Sequence, residues 1–129
     1  MKKLFIYLGL AFVVMVGLNI TGCYKDVIIP DAATDPDGPA QPVSYKNELA
    51  PIFSSQCALS GCHVSGSHKP YLITADSYLN IVNGGYVNII VPKQSILFNK
   101  INGDMKEYIS KASDRQKVYD WIRNGAPNN

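Results

Sequence analysis

The pattern of hydrophobic and polar positions divides the chain into three stretches. Residues 4–20 form an apolar run broken only by small residues and one Asn, directly after the positive start Met1-Lys2-Lys3. Residues 24–43 carry Pro30, Pro36, Pro39 and Pro42 among Asp31, Asp35, Asp37 and Gly38, a composition that predicts an extended linker rather than a core. From Ser44 onward apolar residues recur at helical spacing. Ser44 is suited to cap a helix bearing Tyr45, Leu49, Ile52 and Phe53. Pro51 requires either a kink or an opening turn that ends where Pro51 starts the helix running into Cys57.

Gly66, Ser67, Lys69 and Pro70 then mark a loop. Residues 74–82 read as a second short helix, stopped by Asn83-Gly84-Gly85. Residues 86–91 are rich in β-branched side chains, but a lone run of that kind makes no sheet, so an extended passage across the core is expected. Pro92 precedes a third helix with Ile96, Leu97 and Ile101 apolar, ended by Asn102-Gly103; residues 104–112 show no clear period. A last helix opens on a capping box formed by Ser113 and Gln116, presents Val118, Trp121 and Ile122, and stops at Gly125 and Pro127. No internal repeat is visible.

An apolar run of this length beside Lys is a signal peptide or a membrane-spanning helix. The segment Ile20-Thr21-Gly22-Cys23 resembles the lipobox of bacterial lipoproteins, a family in which the Cys receives a diacylglyceryl group and becomes the first residue after cleavage. That resemblance implies a signal peptide over residues 1–22, lipidated Cys23 and a flexible linker over 23–43, and a domain over 44–129. An uncleaved anchor is the alternative. In either case the domain is expected outside the cytoplasmic membrane, tied to it and facing the periplasm or the cell surface. A linker of about twenty residues at roughly 3.1 to 3.5 Å each would reach on the order of 60 Å.

Charge changes the picture only by exclusion. Removing Lys2 and Lys3 from the twelve Lys and Arg leaves ten against ten Asp and Glu, so nothing argues for a nucleic-acid partner. A domain of about 85 residues buries a marginal core unaided, which makes a prosthetic group or crosslink a natural supplement.

The candidate chemistry lies in Cys57-Ala58-Leu59-Ser60-Gly61-Cys62-His63. With Cys23 lipidated, its two thiols are the only ones left of three. A Cys followed at once by His matches the end of the C-x-x-C-H signature of covalent haem attachment, in which two thiols bond the haem vinyl groups and the imidazole takes the iron. Here four residues separate the thiols. On a regular helix positions i and i+5 lie roughly 140° apart, so the segment must loop out, for which Ser60-Gly61 is suitable. Three other readings stay open: a Cys57–Cys62 disulfide, common outside the cytoplasm, a zinc site drawing on Cys57, Cys62, His63 and His68, and two unpaired structural thiols.

The second half as a whole resembles the small bacterial single-haem cytochrome c domains found on exported lipoproteins. The likeness rests on four pieces in order: Leu49-Ala50-Pro51-Ile52-Phe53 before the first Cys, the stretch from Cys57 to His63, Ile90-Val91-Pro92 followed by Ser95-Ile96-Leu97, and Trp121-Ile122-Arg123-Asn124-Gly125-Ala126. It implies a compact all-α fold in which the first and last helices cross and one haem c is wedged against them. It also implies electron transfer rather than catalysis, with redox proteins of the cell envelope as partners. Cys57 and Cys62 would carry the haem and His63 would be the proximal ligand. Met105, the only methionine left once Met1 and Met15 are removed, would be the distal ligand and would raise the reduction potential. The family usually shows Met-Pro at that place, whereas this chain has Asp104-Met105-Lys106-Glu107. If neither Met105 nor His68 binds, an open iron position would suit a peroxidase or gas sensor, for which no distal His or Arg is evident.

Overall fold

The structure, a computed structural model, describes residues 35–129, and every regular element among them is helical. The expected apolar run at 4–20 and the lipidation candidate Cys23 lie outside the described residues. A π-helical turn, Tyr45–Leu49, runs into α1, Ala50–Gln56; α2 spans Ser77–Asn83; a 3₁₀ turn, Pro92–Gln94, precedes α3, Ile96–Asn102; and α4 spans Ala112–Arg123. Among the described residues no helix is long and apolar enough to cross a membrane.

Local chemistry accounts for most of these boundaries. Ser44 Oγ accepts the amide of Asn47 at 3.3 Å and Glu48 accepts the amide of Ser44 at 2.9 Å, so two free amide groups at the helix start are satisfied reciprocally. Pro51 stands in the first turn of α1, where a missing N–H costs nothing, and the change from π-helical to α-helical winding falls just before it. At the far end Gly125 adopts φ +87°, and the amide of Ala126 reaches back to the carbonyl of Trp121, closing α4 in the manner of a Schellman turn.

The core joins the first and last elements. Leu49 and Phe53 from the first, and Val118, Trp121 and Ile122 from α4, are fully buried with Ile81 and Ile109. The Tyr45 ring lies 5.1 Å from that of Trp121 and 5.2 Å edge-on to Tyr78. Each large side chain buried in this way contributes about 1.5 to 3 kcal/mol. The polar atoms taken inside are partnered: Trp121 Nε1 donates to the carbonyl of Pro127, and the Tyr45 hydroxyl donates to Ser77 Oγ. Among the described residues no buried side-chain nitrogen or oxygen lacks a partner.

Two local expectations are corrected. Residues 86–91 do not cross the core; Ile89, Ile90 and Val91 are exposed, Ile90 at 89%. Asn88 folds this segment back on the start of α3, its Oδ1 accepting the amides of Ile90 and Val91 while its backbone exchanges hydrogen bonds with the Ser95 hydroxyl. The cap position of α4 is Lys111 rather than Ser113, and Gln116 donates to Asp120 instead of closing a capping box.

The proline-rich segment also lies differently from its composition. Val43 is buried, Arg123 donates to the carbonyls of Pro36 and Gly38, and Asn124 donates to the carbonyl of Gln41. Residues 36–43 therefore run along the end of α4 as a strap. The chain closes on itself beside them, because Asn129 accepts the amides of Tyr45 and Lys46 and the hydroxyl of Ser44.

Candidate functional site

The loop from Cys57 to His63 leaves α1 in a defined way. The amides of Cys57 and Ala58 both bond the carbonyl of Phe53, ending the helix, and Cys62 then turns back to Leu59. The amide of His63 bonds the carbonyl of Cys57 at 3.2 Å, which brings the ends of the four-residue gap together. Gly61 makes this possible at φ +80°, a conformation that costs an L-residue roughly 1 to 2 kcal/mol.

This loop forms one side of a cavity of about 540 Å³, within the range of roughly 300 to 1,000 Å³ typical of cofactor sites. Cys57, Cys62 and His63 line it, and so does Met105 from the segment after α3. Phe53, Leu72, Leu97 and Ile101 supply buried apolar wall, with Tyr86, Ile96 and Tyr108 nearer the surface. Two lysines, Lys69 and Lys100, bring positive charge to an otherwise apolar lining, and Lys100 is paired with Asp104 at 2.8 Å.

The histidine is oriented by its backbone neighbours. His63 Nδ1 lies 3.0 Å from the carbonyl oxygen of Pro70 and 3.2 Å from that of His68. Both are pure acceptors, so Nδ1 is the donor and Nε2 is the nitrogen left for a metal, the orientation of a metal-ligating imidazole. Pro70 therefore shapes this side. His68 also lines the cavity and belongs to the same loop as His63.

Cys57 and Cys62 are free thiols, both half-buried. Burial, and secondarily the neighbouring Cys62, pushes the Cys57 thiol up to about 11, so it is neutral at physiological pH. Cys57, Cys62, His63 and His68 do not gather into a zinc site; among the described residues no three His, Cys, Asp or Glu side chains form a metal-holding group. Of the tyrosines, Tyr86 and Tyr108 reach the cavity, whereas Tyr45 and Tyr78 pack around Trp121 and Tyr119 stacks on Phe98.

The site also includes residues that the sequence did not single out. Leu72 and Lys100 face the cavity without any motif of their own. Arg115, which is only 9% exposed, holds the segment bearing Met105 through backbone carbonyls that no sequence pattern announces. Comparison with family models, with curated proteins and with solved structures finds no match.

Proposed function

We propose that this chain is an exported, lipid-anchored electron carrier whose domain holds one haem c, with Cys57 and Cys62 as attachment thiols, His63 as proximal ligand and Met105 as distal ligand. The observation that carries this reading is the convergence of these four side chains, from two separate segments, on one apolar cavity. The donor set fits the group. Two free thiols are available to add across two vinyl groups, an imidazole held through Nδ1 has Nε2 left for the iron, and one thioether faces the same space.

Haem supplies a one-electron iron couple when bound, and the chain's own residues tune and protect it. Phe53, Leu72, Leu97 and Ile101 exclude water and make a low-dielectric wall, which disfavours the additional charge of the oxidised state. The hydrogen bond from His63 to Pro70 fixes the ring and its tautomer. Lys69 and Lys100 offer cations suited to the carboxylates that haem carries. A lipidated Cys23 and the residues after it would keep the domain near donor and acceptor proteins of the envelope at high effective concentration.

The deciding experiment is an absorption spectrum of the denatured full chain, made in a host with haem-attachment machinery. A haem band that stays with the denatured polypeptide is expected, and a colourless protein would sink the proposal. Met105→Ala should then lower the reduction potential and change the ferric spectrum; if both stay as in the wild type, Met105 is not the distal ligand.

A further inference from the structure

The segment that brings Met105 to the cavity has no helix of its own. Residues 103–109 are a succession of turns, and Met105 is attached to α3 by one backbone bond, from its amide to the carbonyl of Lys100 at 2.9 Å. Besides the Lys100–Asp104 pair and the buried Ile109, the segment is held through its backbone by a side chain from α4. Arg115 Nη1 donates to the carbonyls of Ile109 and Ser110, the latter at 2.7 Å, and Arg115 Nε donates to Asn102 Oδ1 at 3.3 Å. Asn102 in turn donates to the carbonyl of Phe98 at 2.9 Å. One guanidinium thus holds the residue just before the segment and two residues at its end.

The charge state makes this hold unusual. Arg115 is buried, and no carboxylate pairs with it among the described residues. All its partners are neutral oxygens. A buried cation is tolerated only while its donors are satisfied, so the loop carbonyls have to stay where the guanidinium needs them. Lys would not replace it, because a single ammonium cannot span the fork that reaches both ends.

We propose that Arg115 is the positioning residue of Met105, clamping residues 102 to 110 so that the thioether is held at the cavity; this rests on the haem reading above. Arg115 touches neither the cavity nor a cofactor in it, and it acts only through the backbone of the loop.

The test uses the full haem-loaded chain as wild type, Arg115→Gln, Arg115→Lys and Asn102→Ala. Two quantities are read: amide hydrogen exchange over residues 103–111, and the rate at which added imidazole displaces the distal ligand of the ferric protein. In Arg115→Gln both should rise by about tenfold or more, the size of one lost charge-assisted hydrogen bond. Exchange in α1 and haem retained after denaturation should stay as in the wild type. Arg115→Lys should lie between the two. Asn102→Ala, at an exposed position, should raise both quantities less than Arg115→Gln, and it decides the question if the Arg115 variants do not fold. Unchanged exchange and displacement rates in the folded variants would overturn the role of Arg115 and leave the haem reading intact. A wild type without covalent haem would overturn both.

Discussion

The hydroxyl of Tyr45 donates to Ser77 Oγ at 2.8 Å, and both residues are sealed from solvent, at 1% and 0% exposure. This bond links the first helical turn to α2 across the core, beneath Trp121. Burial also pushes the Tyr45 phenol up to about 12, so the bond is between neutral groups throughout the working pH range. Tyr45→Phe should cost about 1 to 3 kcal/mol, because Ser77 is left with a buried unsatisfied hydroxyl, and Ser77→Ala should cost a similar amount for the converse reason. The double variant should lose less than the sum. Urea midpoints for the four proteins give the coupling, and strictly additive losses would show that the two hydroxyls do not depend on each other.

Cys57 provides a pH dependence in chain made without attached haem. Its thiol ionises near 11 when folded, against an ordinary value of 9.0. Folding therefore favours the neutral thiol. The stabilisation is fully present below about pH 9 and is lost as pH rises toward 11. Because the thiolate is the reactive form, alkylation of Cys57 should speed up about tenfold per pH unit over that window. Peptide mapping after a brief iodoacetamide pulse at several pH values checks this, and a rate already level at pH 9 would contradict it.

Gly61 has open space where a Cβ would stand, so substitution there strains the backbone and nothing else. Gly61→Ala should cost roughly 1 to 2 kcal/mol of stability. Its larger effect should be on yield of covalently attached haem, because the turn that draws His63 back to Cys57 depends on it. Thermal unfolding and haem content per chain separate the two effects.

The strap is held chiefly by Arg123 and Asn124, whose bonds to the carbonyls of Gly38 and Gln41 both measure 2.7 Å. Replacing both with Ala should open residues 36–43 to proteolysis while the unfolding temperature falls by only a few degrees. Lys93 pairs with Asp37 at 2.7 Å as well, but both side chains are mostly exposed. Lys93→Ala should therefore change cleavage little, since solvent and salt screen an exposed pair. Limited proteolysis with cut-site mapping distinguishes the contributions.

Much of this architecture is legible in the sequence wherever punctuation is strong. Ser44, Asn83-Gly84, Asn102-Gly103 and Gly125 each stand at or within a residue or two of a helix end, because capping and glycine chemistry act locally. The motif from Cys57 to His63, too, is legible, since spacing and adjacency carry its chemistry. Residues 86–91 mislead because β-branched side chains report a preference for extended backbone and not burial; Asn88 and Ser95 decide where that backbone goes. The strap misleads because proline-rich composition reports the absence of a core-forming side chain, while the partners of its carbonyls lie on α4. Arg115 is invisible for the same reason, its acceptors being main-chain oxygens in a segment without periodicity.

The bonds between Asn129 and residues 44–46 bear on the order in which the domain forms. They join positions 83 to 85 apart, so the first helical turn gains these partners only after Asn129 has been delivered. Trp121 and Ile122, which bury Leu49 and Phe53, arrive almost as late. On the proposed export route the stretch from Cys57 to His63 would thus leave the membrane well ahead of the groups that enclose it. For that interval, on the proposed haem reading, both thiols would be on an open chain, within reach of an attachment enzyme that the finished domain would hold at a distance.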